Sequence, residues 1–422
     1  MPDLDIDAIR ARFPALTQTT DGHPVVFLDN PGGTQVVESV IEAIADYLRH
    51  DNANLGGAFP TSQRTVALVE EARAAMADFL NAASPAEIVF GPNMTTLTFS
   101  ISRALAREIG PGDEIVVTRL DHDANITPWV FVAEERGATV RWADFDPADC
   151  TLHMAGLREL INERTRIVAI GYASNATGTI NDVATITRWA HEAGALVYVD
   201  AVQYAPHGPI DVQALGCDFL ACSAYKFFGP HVGILYGRLD LLDQLRAYKV
   251  RPASNKPPGK FETGTQNYEG IAGTLAAVNY LAEVGRQYGG VYASGFPGFS
   301  GRRLHLKTGL TAIQAYEQHL SAAILQELVT LPGVRIHGIT EPERLRQRVP
   351  TVSFTWEGRH PREIATALGE RGIFVWDGNY YAVAVTERLG VEQQGGMVRV
   401  GAVHYNTTDE IARLGEALRA IQ

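Results

Sequence analysis

The sequence has few of the features that mark secreted, membrane-bound or disulfide-rich proteins. Only three of its 422 residues are cysteines, and an odd number without paired spacing favours a reducing compartment. No apolar run reaches the roughly 18 residues that a membrane-spanning helix needs. The acidic segment 1–7 lacks the apolar core of a signal peptide. We therefore expect a cytoplasmic protein.

Positive charge is also scarce. The chain has 36 lysines and arginines against 48 aspartates and glutamates, which gives a net charge of −12. Proteins that bind nucleic acid carry basic stripes or patches, and none occurs here. Neither nucleic acid nor a membrane is therefore an expected partner, and no metal site is predicted.

Apolar strands alternate with helical patterns through the first two thirds of the chain. Hydrophobic residues make up 46% and charged residues 20%, and the length allows two domains of a soluble enzyme. Continuous apolar runs between helices predict an α/β fold with a mostly parallel sheet covered on both faces. Ligands bind beyond the carboxyl ends of the strands in such sheets. The apolar runs are 88–90, 115–117, 167–171, 196–199 and 219–222.

One lysine follows the last of these apolar runs. Lys226 stands just beyond 219–222 and before a Gly-Pro turn that leads into another apolar strand. Apolar surroundings disfavour the charged form of a lysine and lower its pKa. A free amine can attack an aldehyde to form a Schiff base. On this segment alone, a surface lysine beyond a strand end is an equally good interpretation.

A carboxylate and an amide follow the neighbouring apolar run. Asp200 ends the run 196–199, and Gln203 comes three residues later. A carboxylate at a strand end can keep a pyridine nitrogen protonated, which makes the ring an electron sink. An aspartate in such a place is more commonly an N-cap or a turn residue. Together with Lys226, the pair points to pyridoxal phosphate.

Further polar motifs follow in order along the chain. They contain Thr95 and Thr96 (91–96), His122 (121–125), Asn175 (174–180), Gly264 and Thr265 (261–265), and Arg399 (398–407). From 27–30 to 405–407, this ordered set resembles the class V aminotransferases of the cysteine desulfurase-like branch, within the fold-type I superfamily of pyridoxal-phosphate enzymes. The resemblance is much more specific for family and cofactor than for substrate.

The resemblance implies that pyridoxal phosphate is the cofactor and that Lys226, Asp200 and His122 are catalytic. Threonine hydroxyls and free N–H groups at a helix N-terminus suit its phosphate, although an ordinary threonine N-cap gives the same pattern. His122 would stack on the pyridine ring, and its alternative is a polar loop residue. The implied cofactor-binding residues are Thr95, Thr96, His122, Asn175, Asp200, Gln203, Ser223, Lys226, Gly264 and Thr265.

The substrate side of the site also follows from the resemblance. Arg399 would anchor a carboxylate, because a guanidinium fork donates two parallel hydrogen bonds to it. Asn175 would lie near the substrate amino group, although an Asn-Gly turn is the structural alternative. Tyr380 and Tyr381, with His404, are candidates for acid–base catalysis on the substrate side chain, and packing aromatics are an equally good interpretation.

The resemblance implies two domains and two subunits. A large cofactor-binding domain would span 27–286, and a smaller α+β domain would combine 1–26 with 287–422. Gly264 and Thr265 resemble the Gly-Thr pair that reaches the phosphate of the neighbouring subunit. We therefore expect a homodimer with shared active sites.

The chain departs from the family pattern at several positions, and Asn-Met-Thr-Thr at 93–96 stands where the family usually shows Gly-Thr-Thr. Tyr381 stands where desulfurases carry their cysteine nucleophile, and a phenol does not take sulfur as a thiolate does. Tyr225 replaces the histidine that usually precedes the lysine. Asp123 replaces the second histidine of the Glu-His-His-Ala-Asn motif. Persulfide-forming desulfurase activity is therefore not expected.

The predicted function is that of an enzyme acting on an α-amino acid. The resemblance implies that the substrate forms an external aldimine and loses its Cα proton to Lys226. The leading hypothesis is a C–S or selenocysteine-type lyase without a persulfide cysteine. An aminotransferase or an amino-acid epimerase is the nearest alternative. A non-catalytic scaffold that binds the cofactor is an alternative of a different class.

Overall fold

The computed structural model describes residues 4–20 and 22–421. Its α-helices alternate with strands in the first half of the chain, and the three longest have 21, 21 and 29 residues. They are α1 (Ile6–Arg10), α2 (Glu38–His50), α3 (Pro60–Leu80), α4 (Met94–Leu105), α5 (Thr127–Arg136), α6 (Met154–Leu160), α7 (Val183–Glu192), α8 (Val212–Leu215), α9 (Leu239–Gln244), α10 (Tyr268–Tyr288), α11 (Gly301–Val329), α12 (Pro361–Gly369), α13 (Val383–Leu389) and α14 (Thr408–Ala420).

The strands are short, and most belong to two sheets. They are β1 (Thr19–Thr20), β2 (His23–Pro24), β3 (Val26–Phe27), β4 (Ile88–Gly91), β5 (Glu114–Thr118), β6 (Thr139–Ala143), β7 (Thr165–Gly171), β8 (Leu196–Asp200), β9 (Phe219–Ser223), β10 (Gly233–Gly237), β11 (Val334–His337), β12 (Thr351–Trp356), β13 (Ile373–Phe374), β14 (Trp376–Gly378) and β15 (Met397–Gly401).

The larger sheet has seven strands in the order β4-β10-β9-β8-β7-β5-β6. Strands β9, β8, β7, β5 and β6 pair in parallel, and β10 pairs antiparallel to both of its neighbours. The predicted α/β fold with a mostly parallel sheet is confirmed. Because the carboxyl ends of parallel strands meet at one edge, the residues that follow β7, β8 and β9 come together there.

Both faces of this sheet are buried. Along β8, Val197 and Val199 pack into one apolar cluster, while Tyr198 between them packs into another. Side chains alternate between the two faces of a strand, so the two clusters cover opposite faces. This arrangement explains the continuous apolar runs in the sequence, since neither face is left to solvent.

The smaller sheet is antiparallel, with the order β11-β12-β15-β14. The seven-stranded sheet lies within 27–286 and the four-stranded sheet within 287–422, the two parts predicted as domains. The boundaries themselves stay a prediction, because β3 near the start of the chain pairs with β13 of the second part. This pairing brings the segment after β3 close to β15.

The first helix ends at Arg10, whose guanidinium pairs with Glu410 on α14 at 2.9 Å. The glycine-rich run 288–301 contains a short 3-10 helix, Gly290–Gly295. In the part of the chain that the structure describes, no helix is both long and apolar enough to cross a membrane.

Candidate active site

Lys226 ends a 3-10 turn, Ala224–Lys226, directly after β9. It is buried, and its ammonium group donates a hydrogen bond to the carbonyl of Pro31. Burial lowers its pKa to about 7, and the positive charge of Arg399 adds to the effect, while Asp200 opposes it. Near neutral pH a large share of the side chain is therefore a free amine, as the nucleophile of a Schiff base must be.

Asp200 and Gln203 lie beside this lysine at the end of β8. Burial raises the pKa of Asp200 to about 6, against a hydrogen bond from the Val202 N–H at 2.9 Å and the charge of Lys226. The Gln203 amide nitrogen donates to the Thr351 hydroxyl at 3.0 Å, and its oxygen has no partner among the described residues. Exchanging the two ends of the amide would let Thr351 donate instead and turn the NH₂ group into the pocket.

Asp121 is a second buried carboxylate in the pocket, and sequence reasoning did not single it out. It accepts hydrogen bonds from Thr118, Asn125 and the Gly171 N–H at 2.7, 2.7 and 2.9 Å. Burial raises its pKa to about 7. The three hydrogen bonds oppose this shift, and the charge of Asp200 acts in the same direction as burial. Its position directly before His122 in the motif 121–125 was the available signal.

His122 lies at the mouth of the pocket with its ring against Tyr381. The two ring centroids are 5.6 Å apart and the planes differ by 14°. Its Nδ1 accepts a hydrogen bond from the Ala124 N–H at 3.0 Å. Burial lowers its pKa to about 4, with the charges of Lys226 and Arg399 acting in the same direction. The ring is therefore neutral at physiological pH and suited to stacking.

The predicted phosphate site combines the start of α4 with the end of β9. Ser223 accepts a hydrogen bond from the Met94 N–H at 3.1 Å, which ties the two segments together. Asn93 is the N-cap of α4 and accepts the Thr96 N–H at 2.9 Å. Thr95 and Ser223 line the inner pocket, which contains Asp200 and Lys226. Thr96 lines only the outer cavity, which extends from Lys226 to Tyr381 and Arg399. The capping role of Asn93 was missed because the family motif directed attention to the threonines.

Asn175 and Arg399 form the substrate side of the site. The Arg399 guanidinium donates to the Asn175 carbonyl at 2.8 Å, and its Nε is buried without a partner among the described residues. The guanidinium carbon lies 4.2 Å from the centre of the Tyr380 ring. Burial lowers the pKa of Arg399 to about 10, so the group stays charged at neutral pH. The unpaired donor fits a carboxylate ligand.

The loop that follows β14 closes this side of the site. Tyr380 and Tyr381 have φ of 55° and 59°, a conformation that costs roughly 1–3 kcal/mol for each non-glycine residue. Two hydrogen bonds to the large sheet's loops hold them. The Asn175 amide donates to the Tyr380 carbonyl at 2.9 Å, and the Asp123 N–H donates to the Tyr381 carbonyl at 2.7 Å. Asp123 and Tyr381, two positions at which the sequence differs from the family motifs it resembles, are therefore in contact.

Three predicted site residues are not brought into the cavity. His404 is fully buried among aromatic rings, and its Nε2 lies 2.5 Å from the Tyr280 hydroxyl. Its assignment as a substrate-side group is corrected here, because it does not line the cavity and its surroundings are core. Gly264 and Thr265 are exposed and also do not line the cavity of their own chain.

The inner pocket fits the predicted cofactor. Buried oxygens of Asn175 and Gln203, lacking partners among the described residues, are available to a polar ligand. A lysine with a lowered pKa and a carboxylate stand together in it, as a pyridine aldehyde requires. Its walls include Thr95, His122, Asn175, Asp200, Gln203, Ser223 and Lys226.

Comparisons with known proteins agree with this geometry. Residues 26–288 and 300–414 match the family model described as aminotransferase class-V. A cysteine desulfurase of Dickeya dadantii is 34% identical, over 99% of this chain and 96% of that protein. The aminotransferase-like protein FGM3 of Gibberella zeae is also 34% identical, over 99% of this chain and 98% of that protein.

Solved structures show the same relationship. The cysteine desulfurase CsdA of Escherichia coli superposes with a TM-score of 0.83 at 29% identity, covering 99% of this chain and 98% of that one. The cysteine desulfurase of Thermococcus onnurineus gives a TM-score of 0.85 at 26% identity, covering 100% and 99%. The chain belongs to the class V aminotransferase family. It is a cysteine desulfurase-like enzyme of fold type I, and its cofactor is pyridoxal phosphate.

Proposed function

We propose that the enzyme acts on an α-amino acid as a C–S or selenocysteine-type lyase and forms no persulfide on a cysteine of its own. The observation that carries this proposal is that Lys226 and Arg399 line the same cavity, and that Tyr381 lines its outer part. The lysine and arginine suit the two polar ends of an amino acid, and the tyrosine offers no thiol.

The cysteines of the chain support the second half of the proposal. Cys150, Cys217 and Cys222 are all buried, and none lines the cavity. Burial raises the pKa of Cys150 to about 12 and raises the pKa of the other two thiols as well. Since the thiolate is the sulfur nucleophile, none of the three is suited to accept sulfur from a substrate.

The chain's own residues divide the catalytic work. Bound pyridoxal phosphate supplies an electron sink for the carbon that loses its proton. Lys226, as a free amine, accepts the Cα proton at its Nζ and later donates a proton to the departing sulfur or selenium group. With the cofactor bound, Asp200 would hold a proton at the ring nitrogen, and His122 would cover one face of the ring.

The remaining polar groups orient the substrate. Arg399 pairs with its carboxylate through a charge-assisted fork. The Asn175 amide keeps its nitrogen on the Tyr380 carbonyl and leaves its oxygen to accept from the substrate amino group. Together they fix the Cα–H bond toward Lys226, and positioning of this kind contributes to the rate beyond the chemistry of the base.

A homodimer in a reducing, cytoplasmic setting belongs to the same proposal. Gly264 and Thr265 are exposed and lie outside the cavity of their own chain, as expected of residues that serve a neighbouring subunit. The cysteines are unbridged. Thr265→Val should then lower the affinity for pyridoxal phosphate.

Product analysis tests the lyase assignment. The cofactor-loaded protein is incubated with L-cysteine, L-selenocysteine or S-methyl-L-cysteine, with and without an added thiol reductant. Pyruvate and ammonia together with released sulfide, selenide or methanethiol establish elimination. Alanine with sulfide or selenide, formed only with the reductant, establishes reductive removal of the chalcogen. The Lys226→Ala protein is the control and should give neither.

Two results would contradict the proposal. The Cα proton could exchange with solvent deuterium while the C–S or C–Se bond stays intact in all three amino acids. That result would favour an epimerase or aminotransferase. Protein-bound persulfide on the parent protein would mean that one of the buried cysteines accepts sulfur. Tyr381→Cys, which restores a thiol at the loop, is the positive control for persulfide detection.

A further inference from the structure

The outer part of the cavity is lined by aromatic rings. Beyond Lys226 it opens between the loop after β14 and the turn after β9. Four of the rings form two stacked pairs, His122 with Tyr381 and Tyr225 with His231. In the second pair the centroids are 5.0 Å apart and the planes differ by 16°. Trp376, at the start of β14, is 49% exposed although it lines the cavity.

A glycine pair in the segment 30–33 lets two of these rings approach the backbone. A Cβ atom on Gly32 would collide with the indole of Trp376, and one on Gly33 would lie 3.1 Å from the Tyr225 ring. The two rings therefore stand on the turn whose Pro31 carbonyl accepts the hydrogen bond from Lys226. The sequence Asn-Pro-Gly-Gly thus connects the lysine to the aromatic wall.

The two carboxylates of the outer cavity already have partners among the described residues. Asp377 forms an ion pair with Arg362 at 3.0 Å. Glu392 accepts hydrogen bonds from the Asn379 amide at 3.0 Å and from the Thr386 hydroxyl. Both carboxylates are therefore already engaged rather than left open for a cationic side chain, and Arg399 is committed to the carboxylate under the proposed function.

We propose that the substrate is an α-amino acid whose side chain bears an aromatic ring, an aryl thioether being the form that fits a C–S lyase. This inference rests on the proposed function, since Lys226 and Arg399 fix the amino-acid end. The side chain then points into the outer cavity, where Trp376 and Tyr381 present exposed rings. Aromatic pairs in offset or edge-to-face contact add to the energy of simple burial.

Equilibrium binding to the cofactor-loaded protein tests the inference. L-phenylalanine, L-cyclohexylalanine and L-alanine are titrated while the cofactor absorbance is followed, since none of them carries a sulfur leaving group. L-phenylalanine should bind about three- to tenfold more tightly than L-cyclohexylalanine, which has similar bulk without a π-system. Trp376→Ala should weaken L-phenylalanine by a similar factor and leave L-alanine unchanged, and Trp376→Phe should keep most of the preference.

Matched variants keep the test decisive. Phe131 on α5 is 48% exposed and lies outside the cavity, so Phe131→Ala should change no affinity. Tyr381→Ala, at a position 73% exposed, is the second variant should Trp376→Ala not fold. Equal affinities for the three amino acids, or equal weakening of all three by Trp376→Ala, would overturn the aromatic specificity alone. Absence of any response to all three would overturn the proposed function with it.

Discussion

The inner pocket and the outer cavity of this site differ in how closely they follow the family pattern. The inner pocket lies on the strand ends of the seven-stranded sheet and keeps Lys226, Asp200 and Gln203 together. The outer cavity is closed by the loop after β14, where Tyr381 lies and where the family resemblance predicts a cysteine. Under the proposed function, the cofactor chemistry is kept while the groups that meet the substrate side chain differ.

The physical reason lies in what each region must do. The inner pocket serves a cofactor of fixed shape, so a lysine, a carboxylate and a stacking ring are needed whatever the substrate. The outer cavity serves the substrate side chain, and its residues decide which reaction follows loss of the Cα proton. A change there alters the function without disturbing the cofactor.

Removing the lysine of the inner pocket should have the largest effect. Lys226→Ala should abolish covalent retention of pyridoxal phosphate and lower turnover by about 10²–10⁴-fold, because the general base is lost. Absorbance of the protein after gel filtration and product formation measure the two effects. Lys256→Ala, on an exposed lysine paired with Asp243, is the matched control. Unchanged absorbance and turnover in Lys226→Ala would remove the basis of the whole site.

Replacing the carboxylate anchor should come next. Arg399→Lys keeps the charge and loses the fork, so we expect the KM for the amino acid to rise roughly ten- to hundredfold, with a smaller change in kcat. Steady-state kinetics measure both constants. Arg158→Lys, at a surface ion pair with Glu192, should leave them unchanged. An unaltered KM in Arg399→Lys would assign the carboxylate to another group.

The pH dependence of cofactor capture links the two regions. Burial and Arg399 lower the pKa of Lys226 to about 7, and only the free amine reacts with the aldehyde. The rate at which the cofactor-free protein captures pyridoxal phosphate should therefore rise with pH through about 7 and then level off. Stopped-flow absorbance gives the profile. A rate that keeps rising toward pH 10 would mean that the pKa of Lys226 is not lowered.

The arginine supplies a control for this profile. Arg399→Gln removes a positive charge that disfavours protonated Lys226, so the midpoint should move to higher pH. A midpoint that does not move would show that burial alone sets it.

The smallest effect on catalysis is expected in the aromatic core behind the site. His404→Asn should lower the free energy of unfolding by about 1–3 kcal/mol, because the buried Tyr280 hydroxyl loses its partner. It should leave KM and kcat unchanged. Denaturant unfolding and steady-state kinetics check the two statements, with Tyr280→Phe as the companion variant. A fall in kcat in His404→Asn alone would return the histidine to the catalytic groups.

Much of the inner pocket was predictable because each of its residues follows an apolar run. Asp200 and Lys226 were identified from their places after β8 and β9, and parallel pairing brings such positions to one edge. Asp121 follows the same rule, three residues after the end of β5, yet its role was not predicted. Two of its hydrogen-bond donors, Thr118 and Asn125, are local, but the Gly171 N–H and the charge of Asp200 act on it from other strands, which no local pattern displays.

The outer cavity was less predictable because its contacts join distant parts of the chain. Asn175 meets Tyr380, and Asp123 meets Tyr381, across more than two hundred residues. His404 sits beside an intact family motif, so the sequence favoured a place near the substrate. The tertiary structure buries it against Tyr280 instead.

The sequence by itself determined the α/β fold, the family and the cofactor, and predicted the lysine, because strand periodicity and residue type at strand ends are local properties. The tertiary structure alone decided which side chains line the outer cavity. The positive φ of Tyr380 and Tyr381 and the hydrogen bonds that hold them arise only once the two sheets pack together. The same packing sets the pKa of Lys226, because burial and the charge of Arg399 act on it from separate elements.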